Sequence, residues 1–188
     1  MRRDLAVGVT GRTLKIRLLA LLVASAACHG LLADEAQPQR IDQLKAAYLV
    51  NFVKFVEWPA ALTPDVLTIC FLGGASVRAA LPVDLNEKRV NGRRLEVREL
   101  QAGESLAGCQ VLYFEPAAGA NQPAPRAADG LLTISDATDF VQHAGIIGLF
   151  TEANRLRFDI NLANAQRAGL RISSALLQLA SSVQKEAS

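Results

Sequence analysis

The stretch "VLTICFL" (Val66–Leu72) is a short, continuous apolar run that ends at a glycine pair. A run of this length, bounded by turn residues, is typical of a strand that is buried on both faces, as in parallel sheets. Two further runs of this kind follow it, "CQVLYFE" (Cys109–Glu115) and "LLTIS" (Leu131–Ser135). We therefore expect all three to be central strands of a mostly parallel sheet.

Other segments have the pattern of half-buried strands. The turn "NGR" (Asn91–Arg93) leads into Leu95–Leu100, which alternates between apolar and polar residues. Further on, Ile146–Thr151 and Leu156–Ile160 flank a polar turn at Glu152–Arg155. That arrangement predicts an antiparallel hairpin, which would form a mixed edge of the sheet.

Helical signals alternate with these strands. They are Ile41–Trp58, which Pro59 stops; Ser76 to Leu85, which Pro82 interrupts; a short helix capped by Asp136 and ended by Gly145; Leu162–Ala168, capped by Asn161 and closed by Gly169; and a last helix opened by Ser173, with apolar residues at Ile172, Leu176, Leu179 and Val183. The alternation predicts an α/β fold, a single-domain sandwich with a mostly parallel, mixed-edge sheet flanked by helices.

The first helix carries a cluster of aromatic rings, "YLVNFVKFVEWP" (Tyr48–Pro59). On a helical wheel the two phenylalanines fall beside Tyr48, with aliphatic residues on one flank. This broad apolar arc predicts packing against the sheet, and the charges of Lys54 and Glu57 disfavour a membrane anchor. Trp58 lies at the rim of the arc, and we expect it to be the one ring that could contact a partner.

The N-terminus has the three parts of an export signal: basic residues, an apolar run at Leu18–Ala27 and small residues before a polar stretch. We expect a signal peptide over residues 1–33, cleaved between 27 and 36. The apolar run is roughly half the ~20 residues that a spanning helix needs, which disfavours an uncleaved anchor. Lipidation of Cys28 stays open, although Ser25 occupies a position where lipoprotein signals have a large aliphatic residue.

A flexible N-terminus over residues 34–40 and one α/β domain over 41–186 would follow the signal. The formal charge is +2, and several basic residues lie in the leader, so the mature chain is close to neutral. That balance disfavours nucleic acid as a partner. We expect a periplasmic protein with no membrane insertion after cleavage.

Two cysteines, Cys70 and Cys109, would remain in the mature protein. In an oxidising compartment an even count favours a disulfide. The alternative is a pair of buried thiols that act as small apolar residues. Cys70 lies late in its run and Cys109 at the start of its own, so parallel strands in simple register would hold them too far apart.

Catalytic signals are few, and we expect no enzyme, no metal and no cofactor. The mature chain has one histidine, His143, at a helix end where a solvated or capping role is common. The pair Gly73-Gly74 is read as a tight turn, because no complete phosphate-binding motif surrounds it. Asp159 is expected in a solvated ion pair with Arg157 on an edge strand.

The residues leave two functional classes open. A periplasmic small-molecule binding module would have its pocket outside the carboxyl ends of the strands, near Gly73-Gly74 and the Pro116–Gly130 loop. A hydrolase built on carboxylates would use residues such as Asp136 and Asp159.

Six blocks of the chain resemble the YfiR family of periplasmic proteins. They are "KAAYLVNFVKFVEWP" (Lys45–Pro59), "LTICFLG" (Leu67–Gly73), "VNGRRLEVREL" (Val90–Leu100), "CQVLYF" (Cys109–Phe114), "LLTISD" (Leu131–Asp136) and "RFDINLANAQRAGLRISSALLQLA" (Arg157–Ala180). The first and last are the most specific. The chain departs from the pattern in lacking a second cysteine pair near the Ile146–Leu156 hairpin and in its Pro116–Gly130 loop.

The resemblance implies a non-enzymatic α/β domain, often a homodimer, that represses an inner-membrane diguanylate cyclase by binding the cyclase's periplasmic sensor region. Less cyclic-di-GMP then restrains biofilm formation. Cys70 and Cys109 match a cysteine pair of the family, which implies a disulfide and a redox input. A protein that binds the off state of a sensor more tightly than its on state would act in this way.

Overall fold

A computed structural model describes residues 36–60, 64–116, 128–143 and 145–185. The expected signal peptide lies outside these residues, as does most of the Pro116–Gly130 loop. Within the described residues, the helices are too short or too polar for any of them to cross a bilayer.

The protein has a mixed α/β fold built on an eight-stranded sheet. Its helices are α1 (Ala36–Phe55), α2 (Ala75–Ala79), α3 (Phe140–His143), α4 (Leu162–Arg167) and α5 (Ser174–Leu179), with a 3-10 turn at Leu85–Glu87. Its strands are β1 (Val56–Glu57), β2 (Val66–Leu72), β3 (Arg89–Val90), β4 (Arg93–Leu100), β5 (Val111–Phe114), β6 (Leu132–Ser135), β7 (Ile147–Glu152), β8 (Arg155–Asn161), β9 (Arg171–Ile172) and β10 (Ser182–Gln184).

The order of the sheet is β10-β8-β7-β6-β5-β2-β4-β3. Only the β7–β8 and β3–β4 pairs are antiparallel, so the mostly parallel sheet that the sequence predicts is confirmed. The three apolar runs are adjacent strands, β2, β5 and β6. Burial is complete or nearly so along β5 and β6 because side chains on both faces of these strands are covered.

The main core lies on one face of the sheet. Leu49, Phe52 and Val53 of α1 are buried in the same apolar cluster as the strand residues Ile69 and Ile134. A smaller cluster on the other face contains both cysteines with Leu100, Leu112 and Leu131. Helix α1 therefore packs into the domain, as its broad apolar arc predicts.

Two predicted element boundaries were wrong because a long-range strand pairing outcompeted helical periodicity. The first helix ends at Phe55 rather than Trp58, since Val56 pairs with Ile172 in a separate two-stranded sheet, β1–β9. The same helix begins at Ala36, before the Ile41 that the sequence predicted as its start. Val183 was expected in the last helix but lies in β10, which pairs in parallel with β8.

That pairing also corrects the position of the hairpin. Because β10 covers β8, the β7–β8 hairpin is not the edge of the sheet. Cap predictions for the C-terminal helices held: the side chain of Asn161 accepts a hydrogen bond from the Asn164 amide, and that of Ser173 accepts one from Leu176. The other two helical segments are shorter than expected and consist of α2 and α3.

Candidate functional site

An apolar groove of about 510 Å³ runs between α1 and α5, and we call it the α1–α5 groove. It is lined by Tyr48, Asn51, Phe52, Phe55, Phe158, Leu176 and Leu179. Helical spacing brings the α1 members to one side of that helix, since residues three and four apart share a face. Phe158 comes from β8 and lies between the two helices.

The groove has a rigid floor and an open rim. The ring of Phe52 is buried and meets the ring of Phe158 edge to face, with their centroids 5.0 Å apart. One backbone hydrogen bond attaches the start of α5 to the end of α1, because the amide of Ser173 donates to the carbonyl of Phe55 at 2.9 Å. Both walls of the groove are therefore fixed by contacts in the core.

Leu179 stands on the rim with 67% of its surface exposed. Leu44 lies on the same side of α1, one helical turn before Tyr48, and is also exposed. Single exposed apolar residues are ordinary, but a contiguous apolar surface framed by polar residues is typical of an interaction site. In the sequence, Leu179 was only one of the apolar residues at helical spacing in the last helix, and nothing in that pattern distinguished it from the buried Leu176.

Trp58 lies in the core rather than on an open surface. Only 7% of the residue is exposed, and its indole N–H donates a 2.8 Å hydrogen bond to the carbonyl of Gly130. Trp58 also lines a cleft beside the exposed ion pair of Arg171 with Glu57. A partner contact through Trp58 stays a prediction, and its accessible surface is small.

The structure joins Cys70 and Cys109 by a disulfide, with their α-carbons 5.8 Å apart. The register objection fails because Cys109 is not part of β5. It lies in the preceding loop, after Gly108, whose positive φ of 81° turns the chain back over the sheet. The bridge is shielded by the smaller apolar cluster.

A charged cluster lies where β5 and β6 end. Lys45 of α1 forms ion pairs with Asp136 at 2.5 Å and with Asp42 at 3.6 Å. Burial lowers the pKa of Lys45, but the hydrogen bond and charges of these carboxylates outweigh it and raise the pKa overall. Asp136 thus binds Lys45, whereas the sequence predicted that it would cap α3.

Glu115 and Tyr113 adjoin this cluster at the end of β5. The hydroxyl of Tyr113 is buried and has no hydrogen-bond partner among the described residues. The tight turn predicted at Gly73-Gly74 is confirmed, with positive φ at both glycines. A Cβ on Gly74 would lie 2.4 Å from the Tyr113 ring, so this turn is held close to the strand end by packing.

Replacing Glu115 by glutamine should stabilise the protein at neutral pH. Burial, followed by the charge of Asp136, raises the pKa of the Glu115 carboxyl. A raised folded-state pKa means that ionisation opposes folding, so stability falls as the pH rises through that range. Urea unfolding at about pH 7 and about pH 4 should show a gain for Glu115→Gln that shrinks at the lower pH. An equal gain at both values would contradict this explanation.

The remaining candidate residues do not form a catalytic arrangement. His143 is exposed at the end of α3, and its Nδ1 lies 2.9 Å from the carbonyl of Asp139. Asp159 was expected to pair with Arg157, but Arg157 binds Glu152 instead. Asp159 is half-buried beside α3 in a cavity of about 280 Å³, where burial raises its pKa. The described residues contain no group of side chains suited to hold a metal ion.

A family model described as YfiR/HmsC-like matches residues 42–181, which is most of the chain. The chain belongs to the YfiR/HmsC-like family. This confirms the resemblance that the sequence blocks carried, and the matched region covers α1 from Asp42 onward, the groove and both cysteines. The YfiR/HmsC-like family is a regulatory family rather than a catalytic one. No curated relative matches the chain.

Proposed function

We propose that this protein is a periplasmic regulator that binds the periplasmic sensor region of an inner-membrane diguanylate cyclase and represses it. Family membership supports a role in a diguanylate cyclase pathway. The α1–α5 groove is the observation that carries the binding step, because it combines exposed apolar side chains with walls fixed by the core.

The occupant of the groove is an apolar segment of the sensor region. None of the described residues that line the groove is charged, and among them only Asn51 has an amide side chain. An amphipathic segment that buries leucine-like side chains between two helices would match this chemistry. The half-buried rings of Tyr48 and Phe55 would then become buried. Buried aromatic side chains of this kind usually contribute most of the binding free energy of an interface.

Periplasmic residence fits the disulfide, since such bridges persist in oxidising compartments. In the proposed mechanism the protein binds the off state of the sensor more tightly than the on state. The free energy of repression equals that difference in affinity, and any event that weakens binding releases the cyclase.

Deletion of the gene tests the function directly. We expect cyclic-di-GMP and surface attachment to rise in the deletion strain and to return to the starting level when the gene is restored. Unchanged cyclic-di-GMP after deletion would refute repression of a cyclase, whatever the protein binds.

Leu179→Glu should abolish this restoration while leaving the protein folded. The side chain is mostly exposed, so the substitution costs little stability, yet it places a charge on the apolar rim where the sensor would bind. The readouts are cyclic-di-GMP in the complemented strain and thermal unfolding of the purified variant.

Val83→Glu is the matched control, because Val83 is fully exposed and does not line the groove. It should restore repression as the parent chain does. If both variants restore repression, the groove is not the binding site. If neither restores repression although both are folded, the effect is not specific to the groove.

A further inference from the structure

A cavity of about 280 Å³ lies between α3 and the β7–β8 hairpin, and we call it the Asp159 cavity. Side chains alternate along a strand, so Phe158 faces the α1–α5 groove while Asp159, the next residue, lines the cavity on the opposite face of β8. The residue directly opposite Asp159 on β7 is Gly148, which has no side chain. Its absence leaves room on this face both for α3 and for the cavity.

Hydrogen bonds from the core hold the walls of the Asp159 cavity. The buried side chain of Asn161 on β8 donates to the carbonyl of Val141 in α3 at 2.7 Å. In the loop before α3, the amide of Ala137 donates to the hydroxyl of the buried Ser135 at 3.0 Å. Loop and helix are thereby attached to two different strands, β6 and β8. The cavity is therefore preformed, which lowers the entropic cost of binding a ligand there.

The charge that lines the cavity is negative. Asp136, Asp139 and Asp159 are among its lining residues, and none of the described lining residues is basic. Lys45 neutralises Asp136, but the other two carboxylates form no ion pair within the part of the chain that the structure describes. Two carboxylates without a counter-ion at one opening favour a cation as the occupant.

Asp159 is the carboxylate best placed to hold that cation. Burial raises its pKa, although the nearby backbone N–H of Ser182 on β10 favours the charged form, and the charge of Glu152 raises the pKa further. No described cation acts in the opposite direction. Because the side chain is half-buried, its attraction for a bound cation is stronger than that of a carboxylate on an open surface.

The apolar part of the lining includes the half-buried ring of Phe150. This residue follows Gly148 by two positions on β7, so Phe150 and Asp159 are diagonal neighbours on one face of the hairpin. The face of an aromatic ring attracts organic cations, and its carbon surface can cover their methyl or methylene groups. The small volume of the cavity suits a compound of few non-hydrogen atoms.

We propose that the Asp159 cavity binds a small organic ammonium ion. Its nitrogen lies against the carboxylate of Asp159, its carbon atoms pack on the ring of Phe150, and the exposed Asp139 provides a second negative charge at the opening. The site uses none of the residues of the α1–α5 groove, so this inference does not rest on the proposed function.

Isothermal titration calorimetry of the purified protein with ethanolamine and with choline tests the proposal without any variant. Each cation has a neutral carbon isostere, which is n-propanol for ethanolamine and dimethylbutanol for choline. We expect at least one of the two cations to bind about tenfold more tightly than its isostere, because interactions with a charged group are stronger than neutral ones. Failure of both cations to bind at millimolar concentration, or equal affinity for cation and isostere, would overturn the proposal.

Two variants identify the site. Asp159→Asn removes the charge, keeps the size of the side chain and should weaken binding of the cation about tenfold. Phe150→Leu removes the aromatic face but keeps an apolar side chain, and should weaken binding roughly threefold. Unchanged affinity in Asp159→Asn would overturn the assignment.

Glu96→Gln is the matched control. Glu96 is an exposed carboxylate on β4 that does not line the cavity, so its replacement changes the net charge by the same amount as Asp159→Asn. We expect this variant to bind the cation as the parent chain does. An equal loss of affinity in the two variants would mean that binding follows the net charge of the protein, and the Asp159 cavity would not be the site.

Discussion

Phe52→Ala should lower the free energy of unfolding by about 3–5 kcal/mol, the usual cost of deleting a buried phenylalanine ring. Phe52 is 1% exposed and meets the rings of Tyr48 and Phe158 edge to face. Its loss would open a cavity that the sheet and the helix cannot fill by small movements. Equilibrium urea denaturation measures the change, and a loss below about 1 kcal/mol would show that the floor of the groove collapses.

Phe55→Ala is the matched comparison on the same helix. Its ring is only half-buried and lines the open part of the groove. We expect a smaller loss of stability than for Phe52→Ala, together with a clear loss of cyclase repression in a complemented strain. If the two variants were equally unstable, the groove would be a part of the core rather than a surface for a partner.

Removal of the disulfide is the second large effect. The bridged cysteines are 39 residues apart, and closing a loop of that length stabilises a fold by up to about 4 kcal/mol on the chain-entropy model. We therefore expect Cys70→Ala with Cys109→Ala to lose about 2–4 kcal/mol of unfolding free energy. Denaturant unfolding of the double variant and of the oxidised parent gives this difference.

The reduced parent chain separates the cross-link from packing. Reduction breaks the bridge but keeps both sulfur atoms in the apolar cluster, whereas the alanine variant also removes their volume. The reduced parent should thus lie between the two other states. If it matched the oxidised protein, the bridge would contribute nothing through the unfolded chain, and the entropic explanation would be wrong.

The central strands and the long helix could be predicted because their signals are local. An apolar run such as Val66–Leu72 can be buried on both faces only inside a sheet, and an arc of rings at helical spacing requires a helix against a core. Caps such as Asn161 and Ser173 were also readable, since a cap acts within one turn. Family resemblance rested on these same segments, and the family model covers them.

Contacts between residues that are far apart in the sequence could not be predicted from local patterns. The spacing of Val183 fits a helix, but the residue lies in strand β10 because it pairs in parallel with β8. Asp136 was predicted to cap the next helix, but α3 begins only at Phe140 and the Asp136 carboxylate binds the ammonium of Lys45 instead. Helical spacing identified Leu179 only as an apolar residue of the last helix, and the groove that it lines forms because α5 lies beside α1.

The sequence by itself therefore determined the α/β class, the mostly parallel sheet, the burial of α1 and the two cysteines available for a bridge. Only the tertiary structure decided the edge of the sheet, the α1–α5 groove and the ion pair of Lys45 with Asp136. The physical reason is the distance along the chain over which each interaction acts. Periodicity and capping depend on residues close in sequence, whereas short strands and single charges pair with residues that only the folded chain brings beside them.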